Sequence, residues 1–179
     1  VKNGFDKGPE GWCSYDYHRS VVDRGVNVFI LTVWGRSGGV DGTGYVWSDE
    51  TRWSVDTPES PMSVLPFIIY RNWVGLEPVD LVDAEVSVYL RGDGLELDGA
   101  ACYFWVHGHG GRWHFNSRPL DIGDGEWNSE PSVLTLRSDE ALWYRSWAAG
   151  LDAPPPLDDI LSHCDSYGFS FVGFGQEPR

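Results

Sequence analysis

The feature that most restricts the fold is an alternation of apolar and polar side chains between residues 84 and 115. In the first segment the apolar and polar sets alternate as follows: Ala84, Val86, Val88 and Leu90 against Glu85, Ser87, Tyr89 and Arg91. In a second segment the sets are Cys102, Phe104 and Val106 against Tyr103, Trp105 and His107. A period of two places each set on its own face of a strand. The stretch therefore predicts strands with one apolar face and one aromatic, polar and ionisable face.

If these strands are neighbours in one sheet, their polar faces form a continuous surface. We expect that surface to hold the following aromatic, cationic and acidic side chains, which we call the predicted patch: Glu85, Tyr89, Arg91, Tyr103, Trp105, His107, Arg112 and His114. A Trp or Tyr ring covers the C–H face of a pyranose, while Arg, His and Glu bond its hydroxyls. The predicted patch therefore favours carbohydrate binding. The competing interpretation is a solvent face, or a face packed beneath loops.

Within the predicted patch, Trp105 is the leading candidate for a stacking platform. It alternates with Phe104 and Val106, so it points away from the core if those two residues enter it. A large indole on that face is either a platform for a sugar ring or part of a second, covered core layer. The sequence leaves both open.

The rest of the chain reads as short strands separated by turns rich in Gly, Pro and Asp. Strands are predicted at Asn27–Trp34, Val64–Trp73, Ser132–Leu136 and Tyr167–Phe174, with Pro66 indicating an edge or a bulge. After Pro154–Pro156, the segment Leu157–His163 is predicted to be a short helix, because Leu157, Ile160 and Leu161 form one apolar stripe. Many strands with one short helix near the C-terminus indicate an all-β sandwich or barrel.

Size and charge limit the possible partners. The 179 residues predict a single domain, 1–179, and no apolar run is long enough to cross a bilayer. A net charge of −14 argues against binding nucleic acid or anionic lipid through bulk electrostatics. It argues only weakly against an anionic polysaccharide, because Arg91, Arg112 and Arg118 form a candidate local cluster.

The cysteines and the first residues provide information on the processing and the cellular location of the protein. Cys13, Cys102 and Cys164 are an odd number without metal-binding spacing, so no complete disulfide framework is expected, and Cys102 is predicted to be a core residue. The chain begins without Met, so we expect a processed or excised piece of a larger protein, with a removed signal peptide as one explanation. We expect an extracellular or secreted location, with a cytoplasmic one as the alternative.

Three stretches resemble the galactose-binding-like jelly rolls, the group that includes many carbohydrate-binding modules and the laminin B domain. These stretches are Phe5 to Gly11-Trp12, the strand and glycine turn Val88–Leu95, and the helix Leu157–His163 before a late strand. The resemblance implies a jelly-roll β-sandwich, a carbohydrate ligand and an adjoining catalytic domain. It also implies a structural calcium ion, for which only Asp6 and Glu10 match, since the chain ends before the acidic last strand typical of such modules.

Other functions remain open from the residues. A β-eliminating polysaccharide lyase needs a Tyr or His base and an Arg that neutralises a uronate carboxylate, and Tyr103, His107 and Arg112 supply those types. A glycosidase needs two carboxylates placed at the scissile bond. Glu85 lies on the predicted polar face but Glu96 is distant, so a glycosidase is a less natural interpretation than a lyase. A purely structural or protein-interaction domain is the third possibility.

A histidine metal site is also considered. His107, His109 and His114 supply imidazoles of the kind that bind zinc or copper. The segment Gly108–Gly111 looks like a turn, however, so solvated turn histidine is the preferred interpretation.

Overall fold

The structure is a computed structural model. It describes residues 1–16, 28–30, 32–48, 54–55, 63–71, 76–97, 99–148 and 155–173, with the backbone alone at 15–16, 28–30, 54–55, 63–71 and 146–148. In these ranges the early strands are β1 Trp12–Asp16, β2 Val28–Ile30, β3 Val33–Gly35, β4 Tyr45–Trp47, β5 Ser54–Val55, β6 Ser63–Arg71, β7 Glu85–Val88 and β8 Arg91–Gly92. The later strands are β9 Ala101–Gly108, β10 Gly111–Leu120, β11 Gly123–Asp124, β12 Ser132–Thr135, β13 Trp143–Ala148 and β14 Ser166–Gly173. The helix α1 is Leu157–Ser162, and 3-10 turns lie at Val40–Gly42 and Glu140–Leu142.

Eight strands form one antiparallel sheet in the order β13-β10-β9-β14-β6-β1-β2, with β5 added on β6. Three two-stranded sheets lie outside it, β12-β7, β11-β8 and β3-β4, and we call them the second layer because residues in or next to them, such as Val46, Val88 and Ile122, pack against the core of the large sheet. Apolar side chains from both layers form one hydrophobic core, in which Phe104 and Val106 of the large sheet pack with Leu134 of β12. The all-β architecture with a short helix is therefore confirmed.

The strands of the 84–115 stretch do not all lie in one sheet, which corrects the expected arrangement: β9 and β10 are neighbours, but β7 and β8 belong to other sheets. Strand β7 pairs with β12 and β8 pairs with β11, whereas β9 lies between β10 and β14. The apolar faces of β7 and β9 both contribute to the core. These two strands therefore meet face to face across the core, and their polar faces point away from each other.

Several predicted strands are confirmed and one is divided. Strands β12, β6 and β14 match the predicted runs closely, and the register of β6 with β14 shifts between Ser170 and Phe171, so a bulge lies at Pro66 and Phe67. However, β6 is an interior strand, not an edge. Of the run Asn27–Trp34, the structure describes residues 28–30 and 32–34, and these do not form one strand, because β2 pairs with β1 and β3 pairs with β4.

The helix α1 closes one end of the core. Leu157, Ile160 and Leu161 are buried, as the apolar stripe predicted. A Cβ at Gly108 would lie 2.8 Å from the carbonyl oxygen of His163, so the end of α1 sits directly against the β9–β10 hairpin. That hairpin turns through His109 and Gly110, both at positive φ, as a two-residue turn of the primed type requires. The predicted turn is confirmed.

Candidate functional site

One face of the eight-stranded sheet points away from the core and is lined by aromatic and polar groups. We call it the polar sheet face, and its described side chains are Cys13, Ala101, Tyr103, Trp105, His107, Arg112, His114, Tyr144, Ser166, Ser170 and Val172. Strand alternation separates these residues from core residues such as Phe104, Trp113 and Phe169. The burial of Cys102 in the core is confirmed, and all three cysteines are buried.

Cross-strand pairing arranges the polar sheet face in rows. His114 lies opposite both Trp105 and Tyr144. His107 lies opposite Arg112 on one side and Ser166 on the other. A third row pairs Tyr103 with Ser170. Directly opposite side chains in antiparallel strands are about 5 Å apart, so each row is a set of direct neighbours.

The predicted patch is therefore divided between the two layers. Five of its members lie on the polar sheet face: Tyr103, Trp105, His107, Arg112 and His114. Glu85, Tyr89 and Arg91 lie in the second layer instead, where Glu85 is exposed and Arg91 pairs with Asp93 at 2.8 Å. The division follows from the pairing of β7 with β12, because the core separates β7 from the polar sheet face.

Trp105 is covered. Its side chain is 1 % exposed, and the guanidinium carbon of Arg112 lies 4.6 Å from the centre of its ring. An indole stacked beneath a guanidinium gains cation–π attraction, which is strongest where water is excluded. Of the two interpretations of Trp105, this burial matches a covered packing layer on the polar sheet face, not an open platform for a sugar ring.

His114 and Ser170 form a buried pair beside Trp105. The distance between His114 Nε2 and Ser170 Oγ is 2.7 Å, and each side chain is 1 % exposed. Burial lowers the pKa of His114 well below its usual 6.5, and the positive charge of Arg112 lowers it further. The imidazole is therefore neutral at pH 7, with one nitrogen that donates and one that accepts a hydrogen bond.

His107 and Tyr103 lie on either side of Trp105 along β9, and both are half-buried. Burial and, to a smaller extent, the positive charge of Arg112 lower the pKa of His107 to about 4, while Asp165 opposes the shift. Burial also raises the pKa of Tyr103, with a smaller contribution from Cys102. Both groups are consequently uncharged at neutral pH.

Together these groups make a surface suited to a neutral, hydroxyl-rich ligand. The half-buried Tyr103, His107, Arg112 and Tyr144 surround the buried Trp105 and His114. Tyr103 and His107 are four positions apart along β9, a span of about 13 Å. That span matches a short oligosaccharide, and the surrounding groups offer aromatic edges, hydroxyls and neutral imidazoles.

The sequence did not single out Ser166, Ser170 and Tyr144, which join this face from the end of the chain. The sequence contains a signal for the two serines, because Ser166, Gly168 and Ser170 alternate with Tyr167, Phe169 and Phe171. Alternation reveals which side chains share a face of one strand, but it does not reveal which strands are neighbours.

A second concave region lies between the two layers. We call it the interlayer cavity; its volume is about 680 Å³, and Glu85, Tyr89 and Arg91 are among its lining residues. Most of its wall is apolar, with Val86, Val88 and Leu90 on the second layer and aromatic rings of the large sheet opposite them. The volume is within the range of sites for small molecules.

The described residues do not assemble a metal site from the groups predicted. His109 is an exposed turn residue that stacks on His163 at 5.3 Å, whereas His107 and His114 lie on the sheet. Asp6 is exposed, and Glu10 accepts a hydrogen bond from Asn3 at 2.9 Å. Calcium requires six to eight oxygen ligands. In the described ranges no cluster of three or more His, Cys, Asp or Glu side chains has a geometry that holds a metal ion, so the calcium site stays a prediction.

Comparisons with protein-family models, with curated proteins and with solved structures found no match to this chain. Across the residues that the structure describes, there is also no helix of the length and apolar character needed to span a membrane.

Proposed function

We propose that this protein binds carbohydrate, without catalysis, on the polar sheet face. Tyr103, His107, Arg112 and Tyr144 make the contacts, and Trp105 with His114 forms the rigid layer beneath them. The observation that carries the proposal is the juxtaposition of aromatic rings with hydrogen-bonding groups that are neutral apart from Arg112, on one face of one sheet.

Carbohydrate fits these groups for two physical reasons. A sugar presents C–H faces that pack on aromatic rings, which Tyr103 and Tyr144 supply. Its hydroxyls both donate and accept hydrogen bonds, as do neutral imidazoles and phenols. Because His107 is uncharged at neutral pH, it bonds a hydroxyl without the cost of burying a charge.

The same groups support binding more strongly than lyase chemistry. A general base works best when its pKa lies near the operating pH. His107, with a pKa of about 4, is too weak a base at neutral pH, and the raised pKa of Tyr103 disfavours its phenolate. A β-eliminating lyase that uses Tyr103, His107 and Arg112 is therefore the second candidate.

The fold is consistent with a jelly roll of the galactose-binding-like group, and we propose that assignment as well. Two features support it. The strands of the large sheet are not in the order in which they follow one another in the chain, and a short helix precedes the last described strand. An extracellular location, an adjoining catalytic domain and a calcium ion near Asp6 and Glu10 belong to the same proposal.

The test is native affinity electrophoresis through gels that contain a panel of neutral and acidic polysaccharides. At least one polysaccharide should retard the wild-type protein, and Tyr103→Ala should weaken that binding about 10- to 30-fold, in the range of interface hot spots. Tyr89→Ala is the matched control, because it removes a half-buried tyrosine from the other layer.

Two results would count against the proposal. One is the absence of retardation on every polysaccharide, and the other is an equal loss in Tyr89→Ala and Tyr103→Ala. Appearance of unsaturated uronate ends, read as ultraviolet absorbance during incubation with uronate polymers, would replace it with the lyase.

A further inference from the structure

The interlayer cavity has the composition of a small-molecule site and lies on the far side of the large sheet from the polar sheet face. Its charged lining residues, among them Lys2, Asp80, Glu85 and Arg91, are exposed. Most of its apolar lining residues, among them Phe5, Val86 and Phe104, belong to or pack against the hydrophobic core. Charged groups therefore surround the mouth, and apolar groups form the interior.

The core-facing side chains of β7 are less covered than those of β9. Val86 and Val88 point toward the core but are only half-buried, while Phe104 and Val106 are 1 % and 0 % exposed. The cavity explains this difference, because Val86 and Val88 line it. Apolar surface left accessible inside a sandwich is a place where a ligand gains free energy by displacing water.

The opposite wall of the cavity is a group of aromatic rings around Trp12. Trp12 stacks on Phe169 with ring centres 5.6 Å apart and an angle of 3° between the planes. The edges of Phe5 and Tyr167 contact Trp12 at centre distances of 6.5 Å and 6.0 Å. All four rings line the cavity, so its wall favours a flat, apolar ligand.

The side chain of Trp12, which lines the cavity, contains one buried polar atom. The Trp12 side chain is 9 % exposed, and its indole Nε1 has no hydrogen-bond acceptor among the described residues. A buried N–H without a partner is costly, and native proteins rarely keep one without reason. An oxygen atom on a bound molecule would satisfy it.

We infer that the interlayer cavity binds a flat, apolar small molecule of ring character whose one carbonyl or hydroxyl oxygen accepts a hydrogen bond from Trp12 Nε1. The apolar rings of such a molecule lie between the aromatic wall and the β7 side chains. This site is separate from the polar sheet face, and the inference does not depend on carbohydrate binding.

The test uses a fluorescent probe and two competitors of the same shape. N-phenyl-1-naphthylamine, an uncharged aromatic probe, should show saturable fluorescence enhancement with the folded wild-type protein. 2-Acetonaphthone carries a carbonyl oxygen and 2-ethylnaphthalene does not. The ketone should displace the probe at a roughly two- to tenfold lower concentration, the effect of one hydrogen bond. In Trp12→Phe, which keeps a ring but removes the N–H, that preference should disappear.

Paired substitutions locate the site. Val88→Trp places an indole inside the cavity and should abolish saturable probe binding. Val133→Trp is the matched control: Val133 lies on the neighbouring strand β12, is 39 % exposed, and its substitution should leave probe binding within about twofold of wild type. Circular dichroism verifies that each variant is folded. If Val88→Trp does not fold, the comparison of the two competitors in wild type and Trp12→Phe still tests whether the cavity binds such a molecule.

Three results would overturn the inference. These are no saturable enhancement with wild type, full probe binding in folded Val88→Trp, and a preference for the ketone that persists in Trp12→Phe.

Discussion

Phe104 and Trp105 lie on opposite faces of β9 and are equally buried, but their surroundings are chemically opposite. Phe104 on the core face and Trp105 on the polar sheet face are each 1 % exposed. Phe104 packs among apolar and aromatic side chains, whereas Trp105 has Arg112 over its ring and His114 opposite it. A face that only needed covering would be simplest as an apolar layer, since every buried polar group requires a partner. Burial alone therefore does not identify a structural core.

The largest expected effect tests whether the two faces are equally important for stability. Phe104→Ala and Trp105→Ala should each lower the free energy of unfolding by about 3–5 kcal/mol, the usual cost of truncating a buried aromatic side chain. Urea unfolding at pH 7 measures both. A loss of less than about 1 kcal/mol in Trp105→Ala would show that the ring is not part of a packed layer and would restore the stacking-platform interpretation.

The faces of individual strands could be predicted from the sequence, but their neighbours could not. Alternation correctly assigned Cys102, Phe104 and Val106 to the core and placed Trp105 on the opposite face. It could not show that β7 pairs with β12, since Glu85 and Thr135 are far apart in the chain. Pairing is decided by which apolar faces meet in three dimensions, and a single strand's pattern does not contain that information.

The lack of information on strand neighbours also explains which parts of the candidate sites could be predicted. Tyr103, Trp105 and His107 were predicted together because they lie on one strand. Ser170 joins His114 only after β14 has inserted beside β9, and the interlayer cavity exists only once both layers are assembled. Long-range assembly of this kind leaves no local periodicity to detect.

The second prediction separates the faces by their response to acid. The folded protein lowers the pKa of His107 from 6.5 to about 4, so the unfolded chain binds more protons between these values. The stabilisation is complete above pH 6.5 and is lost as the pH falls toward 4, with a total of up to about 3 kcal/mol. His114 contributes in the same direction.

Urea unfolding from pH 7.5 to pH 4 checks this response. His107→Gln and His114→Gln should each flatten the curve relative to wild type, and the dependence that remains belongs to carboxylates. Identical slopes in wild type and both variants would show that neither imidazole is buried in its neutral form.

The third prediction concerns the hydrogen bond within the polar sheet face. Ser170→Ala removes the hydroxyl that lies 2.7 Å from His114 Nε2 and should cost about 1–3 kcal/mol of stability. Ser166→Ala is the matched control on the same strand, where the half-buried side chain should cost less than about 0.5 kcal/mol. Equal values for the two variants would mean that the His114–Ser170 contact does not contribute.

The smallest expected effect belongs to the predicted patch residues that lie in the second layer. Glu85→Gln and Arg91→Gln should change carbohydrate affinity by less than about twofold and stability by less than about 0.5 kcal/mol, because both side chains are exposed. Affinity electrophoresis and urea unfolding of the same samples measure the two quantities. A loss of binding above about tenfold in either variant would move the carbohydrate site to the second layer.

The most direct test of the central claim, that the polar sheet face binds carbohydrate, is a map of amide chemical-shift changes. An oligosaccharide of the polymer that retards the protein is added to ¹⁵N-labelled protein, and the assigned amide signals are followed. We expect the largest shifts in Tyr103–Arg112 and Ser166–Ser170, while the signals of Glu85–Arg91 stay unchanged. The largest shifts at Glu85–Arg91, or shifts confined to neither region, would contradict the claim.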